Sequence, residues 1–222
     1  MIGEIFIAGN ESVLLSAIEA ETAKRTESYV LAPISNRFSG AGLQPTDGSQ
    51  SHILDWNPGS PISARTLVLA AENRLGHINE AILVCSPPQV RRDAANLNFV
   101  DVEMLVNDHI KGWFFLVKEL TVVFKAKGEG TLSLVYPDIH EAVGGDETPD
   151  FLGHSALAVF RSLTRNLLSA AFSEPFLTLG FTGSETGDNA GFAAFIFKQL
   201  EEKNRRGNGK LHKYGSKLGF FK

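Results

Sequence analysis

Short apolar runs alternate along this chain with longer segments whose apolar residues recur every three or four positions. Ile2 to Ala8 reads as a buried strand, Glu11 to Lys24 as a helix with Val13, Leu14, Ala17 and Ile18 on one face, and Tyr29 to Pro33 as a second strand. Ser35 to Gln50, rich in Gly, Ser, Asn and Pro, is a loop. Ser51 to Asp55 is a brief third strand, and a helix from about Ile62 to Leu75 is closed by Gly76 as its C-cap. Ala81 to Cys85 is a fully apolar strand. After Ser86-Pro87-Pro88 comes one long helix, about Val100 to Lys127, apolar around more of its circumference than a single core face requires. Leu132 to Tyr136 is a strand, Phe151 to Phe172 a helix with a similarly wide apolar arc, Phe176 to Phe181 a strand, Ala190 to Glu202 a helix and Leu211 to Tyr214 a last short strand.

Strands that alternate with helices in this way make βα units, so the expected class is α/β with a mostly parallel sheet covered by helices on both faces. No internal repeat or linker divides residues 1–222, and a single domain is expected. Composition supports that expectation: 43% hydrophobic and 21% charged residues are enough to bury a core, and a formal net charge of −4 offers no global field for nucleic acid or an anionic membrane. The basic stretch at about 204–222 is a local exception and reads as a solvated tail. The one cysteine, Cys85, excludes an intrachain disulfide and fits a reducing, cytoplasmic compartment. The apolar N-terminal run is too short to span a bilayer and carries Glu4 where a signal peptide needs a basic residue.

Several local signatures share an order and spacing along the chain. Leu75-Gly76-His77-Ile78-Asn79 leads into an apolar strand, Val106-Asn107 is followed by Gly112-Trp113-Phe114, Gly130-Thr131-Leu132-Ser133-Leu134-Val135 opens another strand, and Thr182-Gly183 precedes Thr186. Together they resemble the short-chain dehydrogenase/reductase (SDR) family over essentially the whole chain. The resemblance implies a Rossmann-type three-layer fold with a doubly wound sheet, an NAD or NADP cofactor, and oxidoreductase chemistry.

The departures from the family pattern fall on its functional motifs. The family's Thr-Gly-x-x-x-Gly-x-Gly turn is represented by Ala8-Gly9-Asn10-Glu11-Ser12-Val13-Leu14-Leu15. Only Gly9 is kept. Val13 and Leu15 fill the other glycine positions, and Glu11 puts a carboxylate where two phosphate charges would lie, at a cost of about 1–4 kcal/mol without a compensating cation. Ala32-Pro33 offers no carboxylate for the ribose hydroxyls of NAD; Arg37 nearby could meet the 2′-phosphate of NADP or simply be solvated. Asp55 matches the family's adenine-edge aspartate and equally suits a turn cap before Asn57-Pro58. Ser86-Pro87-Pro88 replaces Asn-Ala-Gly.

The family's proton relay is Tyr-x-x-x-Lys, two side chains on one helix face with the ammonium lowering the tyrosine pKa. Phe151 and Ser155 stand at those positions, and neither can do that work. The family serine has no counterpart after Ser133. Asn107 is kept, where it could serve a substrate or only a local backbone irregularity. Tyr136, Asp138, His140 and His154 are candidates for substitute acid or base chemistry, with His154 the first among them; a satisfied structural role is the competing reading for each. The histidine spacing and single cysteine give no support for a metal site.

The expectation is therefore an SDR-fold pseudoenzyme with no cofactor, kept for binding or assembly; a divergent NAD(P)-dependent oxidoreductase is the alternative. A ligand sensor with a pocket lined by Phe151, Trp113 and Tyr136 is a third reading. In the family, two long helices build a bundle between subunits. The resemblance thus implies a homodimer or homotetramer through helices 100–127 and 151–172, or pairing with an active relative.

Overall fold

A computed structural model describes residues 3–26, 28–34, 50–86, 94–138, 150–184, 187–202 and 207–215. Seven strands form one sheet: β1 (Ile5–Asn10), β2 (Ser28–Ile34), β3 (Gln50–Ile53), β4 (Glu80–Val84), β5 (Thr131–Asp138), β6 (Leu177–Ser184) and β7 (Leu211–Tyr214). Their order is β3-β2-β1-β4-β5-β6-β7, and every pairing is parallel, so the sheet is wholly rather than mostly parallel. The winding reverses between β1 and β4. In such sheets a crevice opens at that point, beyond the carboxyl ends of the strands.

Helices cover both faces, which is why β1 and β4 are buried along their whole length. Alternate residues of β1 serve the two layers. Phe6 and Ala8 join the core beneath α2 (Pro61–Leu75), α4 (Gly112–Lys127) and α5 (Phe151–Ala170), while Ile5 and Ile7 join the core beneath α1 (Val13–Ala23) and α6 (Asn189–Glu201). The expected C-cap is present, with Gly76 at φ 78°. Arg25, just past α1, bonds Glu21 and, at 2.9 Å, Glu201 of α6, and lies over the Phe197 ring at 5.1 Å, tying the two helices of that layer together.

The long helix expected from 100 to 127 runs from Phe99 to Lys127 as one rod with a π-helical turn inside it. Residues Phe99–Met104 form α3, Leu105–Lys111 a π-helical turn, and α4 follows. The Gly112 N–H reaches back five residues to the Asn107 carbonyl. Gly112 also lies where the rod crosses the loop before α2, and a Cβ there would sit 2.7 Å from Pro58 Cβ. Only glycine fits that crossing. Asn107 thus sits inside a backbone irregularity, the structural reading open to it from the sequence.

The wide apolar arc of α5 is largely used within the chain. Leu157, Phe160 and Leu163 face the sheet, whereas Leu152 and Ala156 pack with Leu105 of the π-helical turn. Between its ends the outward positions of α5 carry Ser155, Ala158, Ser162, Arg165, Asn166 and Ser169, with Phe151 exposed at its start.

Candidate functional site

The turn after β1 shows what replaces the expected phosphate cradle. Gly9 is retained for packing: a Cβ would lie 2.8 Å from Val84 and 3.0 Å from Leu15 Cδ1. Leu15 points into the core. Val13, the first residue of α1, is 73% exposed and turns to solvent instead of filling the crevice. The expectation that both side chains crowd a phosphate is met by neither: Leu15 is buried beside Gly9, and Val13 turns outward. Ser12 is the N-cap, its Oγ accepting from Leu15 N at 3.2 Å, so a donor that a phosphate-binding helix would offer outward is satisfied within the turn. Glu11, half-buried, directly precedes this cap.

The reversal between β1 and β4 is crossed by side chains. Asn10, at the end of β1 and buried, accepts from Ser86 N through Oδ1 at 3.0 Å. Its Nδ2 lies 2.6 Å from His109 Nδ1, on the π-helical turn. An amide nitrogen only donates, so Nδ1 is the acceptor and the ring proton resides on Nε2. Burial holds the His109 pKa down to about 4. One side chain thus joins the end of β1, the second residue after β4 and the π-helical turn, and it does so with a neutral imidazole. His109 did not emerge from the motifs. Its signal was helical: Leu105, His109, Trp113, Leu116, Leu120 and Phe124 lie on the inward stripe.

The other sequence candidates are not brought together into a relay. Asp55 is exposed and lies two residues beyond β3; the turn it was expected to cap is held by Asn57 Oδ1, accepting from Gly59 N at 3.0 Å, and by Ser60, the N-cap of α2. Phe151 is exposed at the start of α5, and Ser155 donates to the Phe151 carbonyl at 2.6 Å, a helix back-bond that uses its hydroxyl locally. Asn107 Oδ1 accepts from Lys111 Nζ at 2.9 Å. His154 is half-buried. Arg37 and His140 lie outside the described residues.

Tyr136 and Trp113 belong to the core, not to a surface pocket: both pack on Phe160, at ring distances of 6.2 and 5.0 Å. Burial raises the Tyr136 pKa, against the opposing pull of Arg161, whose guanidinium lies 5.5 Å from the ring centre. A proton-relay tyrosine needs the reverse shift. Arg161 Nη2 also donates to Pro137 O at 3.3 Å and approaches Asp138 Oδ1 at 3.4 Å. Cys85 is buried, and burial pushes its thiol up out of the reactive range. Among the described residues no three His, Cys, Asp or Glu side chains gather as a metal site, and no helix is long and apolar enough to cross a membrane.

No family profile matches the chain, and no curated protein matches it in sequence. Solved structures do match in shape. A short-chain type dehydrogenase/reductase from Mycobacterium marinum superposes with a TM-score of 0.76 at 9% identity, over 96% of this chain and 93% of that one. It has the SDR fold. A short chain dehydrogenase from Mycobacterium smegmatis matches at 0.72 and 12% identity over 97% and 93% of the two chains, and levodione reductase at 0.72 and 12% over 96% of each. At such identities the SDR fold is what is shared, and the residues at its crevice must speak for themselves. Among the described residues they depart from a nicotinamide-dinucleotide cradle. The helix terminus is self-capped, the second motif glycine is a valine, a carboxylate precedes the cap, and Asn10 and His109 are joined across the switch point.

Proposed function

We propose that this SDR-fold protein lacks standard dehydrogenase activity and acts as a pseudoenzyme, through binding or assembly. The observation that carries the reading is the Asn10–His109 bond, which spends the crevice of the sheet on an internal contact. Supporting it, Phe151 and Ser155 supply no proton relay, and the hydroxyl of Tyr136 is harder to ionise than a free phenol. Titration with NADH and with NADPH, followed by cofactor fluorescence, tests it. The expected result is no saturable binding up to millimolar cofactor; a micromolar Kd would overturn the reading.

A divergent NAD(P)-dependent oxidoreductase is the second reading, favoured by the likeness to structures described as reductases, one of them an NADH-dependent reductase complexed with NAD. That reading asks His154 or Tyr136 to move a proton. The assembly part of the proposal has the chain associating through the layer that contains α4 and α5, as a homodimer, a homotetramer or with an active relative. A cytoplasmic setting accords with one buried thiol.

A further inference from the structure

Large apolar side chains left in solvent are concentrated on one helical layer. On α2, Ile62 is 77% and Leu69 49% exposed; on α4, Phe114 is 48% and Val122 56% exposed. The two helices pack side by side, and in each the exposed apolar residues stand two turns apart. Between its ends α5 turns small and polar residues outward, its exposed apolar groups being Phe151 at its start and Phe172 just beyond it. The exposed charged positions between and beside the four apolar residues are cationic, Arg65 on α2, Lys111 just before α4, and Lys118 and Lys125 on α4, with exposed Thr66 and Asn73 and half-buried Glu72 and Glu119 among them.

Acidic side chains do not balance them. Lys118 pairs with Glu119 at 2.8 Å and Lys125 with Glu174 at 2.9 Å, both with exposed lysines, a type of pair that contributes little. Among the described residues neither Arg65 nor Lys111 has a carboxylate within ion-pair distance. This stands out in a chain whose net charge is −4. A second copy docked on the same face about a two-fold axis would oppose cation to cation and lose the steering that unlike charge gives. An acidic lipid surface would meet a net-negative body beyond the patch.

We infer that the α2–α4 face docks a different protein through a helix with an apolar stripe flanked by Asp and Glu. The apolar residues supply the desolvated centre, and the four cations orient the partner and select against self-pairing. This goes beyond the assembly reading above, placing a contact with a different protein on α2 and α4 where that reading had α4 and α5.

The test is a display library of amphipathic helices with randomised flanking positions, selected on the full chain. Enriched sequences are expected to carry Asp or Glu beside the apolar stripe, and their binding is expected to fall at least about tenfold in Leu69→Asp and in Val122→Asp. Arg65→Glu/Lys111→Glu, whose one lost hydrogen bond is the exposed pair of Lys111 with Asn107, should weaken the same peptides with a nearly unchanged thermal melt. No enriched peptide at this face, or enrichment indifferent to those charges, overturns the inference. So does a dimer of the wild-type chain in sedimentation that Val122→Asp dissolves, and so does binding to phosphatidylserine vesicles that Phe114→Asp abolishes. Saturable nicotinamide binding would sink the pseudoenzyme reading and leave the peptide result intact, whereas a failed selection with silent titrations sinks this face alone.

Discussion

Asn10 and His109 are 99 residues apart in sequence and 2.6 Å apart at the switch point of the sheet. The imidazole in this pair must stay neutral at Nδ1 to accept, and this couples the fold to pH. Its pKa lies near 4 in the folded chain against 6.5 in an ordinary histidine. Above about 6.5 both folded and unfolded chains hold the neutral ring, and the contribution is complete. As pH falls from about 6.5 toward about 4 the unfolded chain takes up the proton first, so stability declines by on the order of 1 kcal/mol per pH unit. Urea unfolding of wild type and His109→Gln across that range should show the wild type losing more; parallel curves would contradict it.

Asn10→Ala removes the acceptor of Ser86 N and the donor to His109 together. Unpaired buried polar groups of this kind cost about 1–3 kcal/mol each. A loss in that range is expected in chemical denaturation at pH 7, and a neutral effect would mean that water replaces the amide.

Leu15 and Val13 should behave oppositely although both replace motif glycines. Leu15→Ala cuts a core side chain and should cost about 2–5 kcal/mol. Val13→Gly touches little and should shift stability by about 1 kcal/mol or less, without creating nicotinamide binding. Thermal melts and a cofactor titration on the two variants check both halves.

Arg161→Leu takes a cation from beside the Tyr136 ring. Since that cation favours the phenolate, the variant's Tyr136 should ionise at still higher pH, read as a delayed rise in phenolate absorbance. An earlier rise would mean that Arg161 excludes water from the hydroxyl more than it stabilises charge.

Much of this architecture was legible in residue pattern because buried parallel strands are continuous apolar runs: Leu211 to Tyr214 is the predicted last strand residue for residue, and α5 begins at Phe151 as expected. The π-helical turn within the 100–127 helix was not legible, since Val100 to Lys127 keeps helical apolar spacing throughout, and the close crossing of Gly112 with Pro58 is a tertiary contact that spacing does not report. At the site, alignment gave which residues replace the glycines but not which way they point. Leu15 went inward and Val13 outward. His109 and Asn10 sat in variable positions of their motifs, and only the pairing of distant segments gives them a role.

The wide turn at 105–111 makes segment length a carrier of information. An ordinary helix advances about 100° per residue and a π-helical turn, with its i→i+5 bonds, advances less, so the seven residues Leu105–Lys111 turn the rod about as far as one residue fewer would in an ordinary helix. Losing one residue there would let the rod rewind with its two flanks still aimed alike, while the residues inside the turn were re-aimed. His109 is among them, so its contact with Asn10 is what the additional residue sustains.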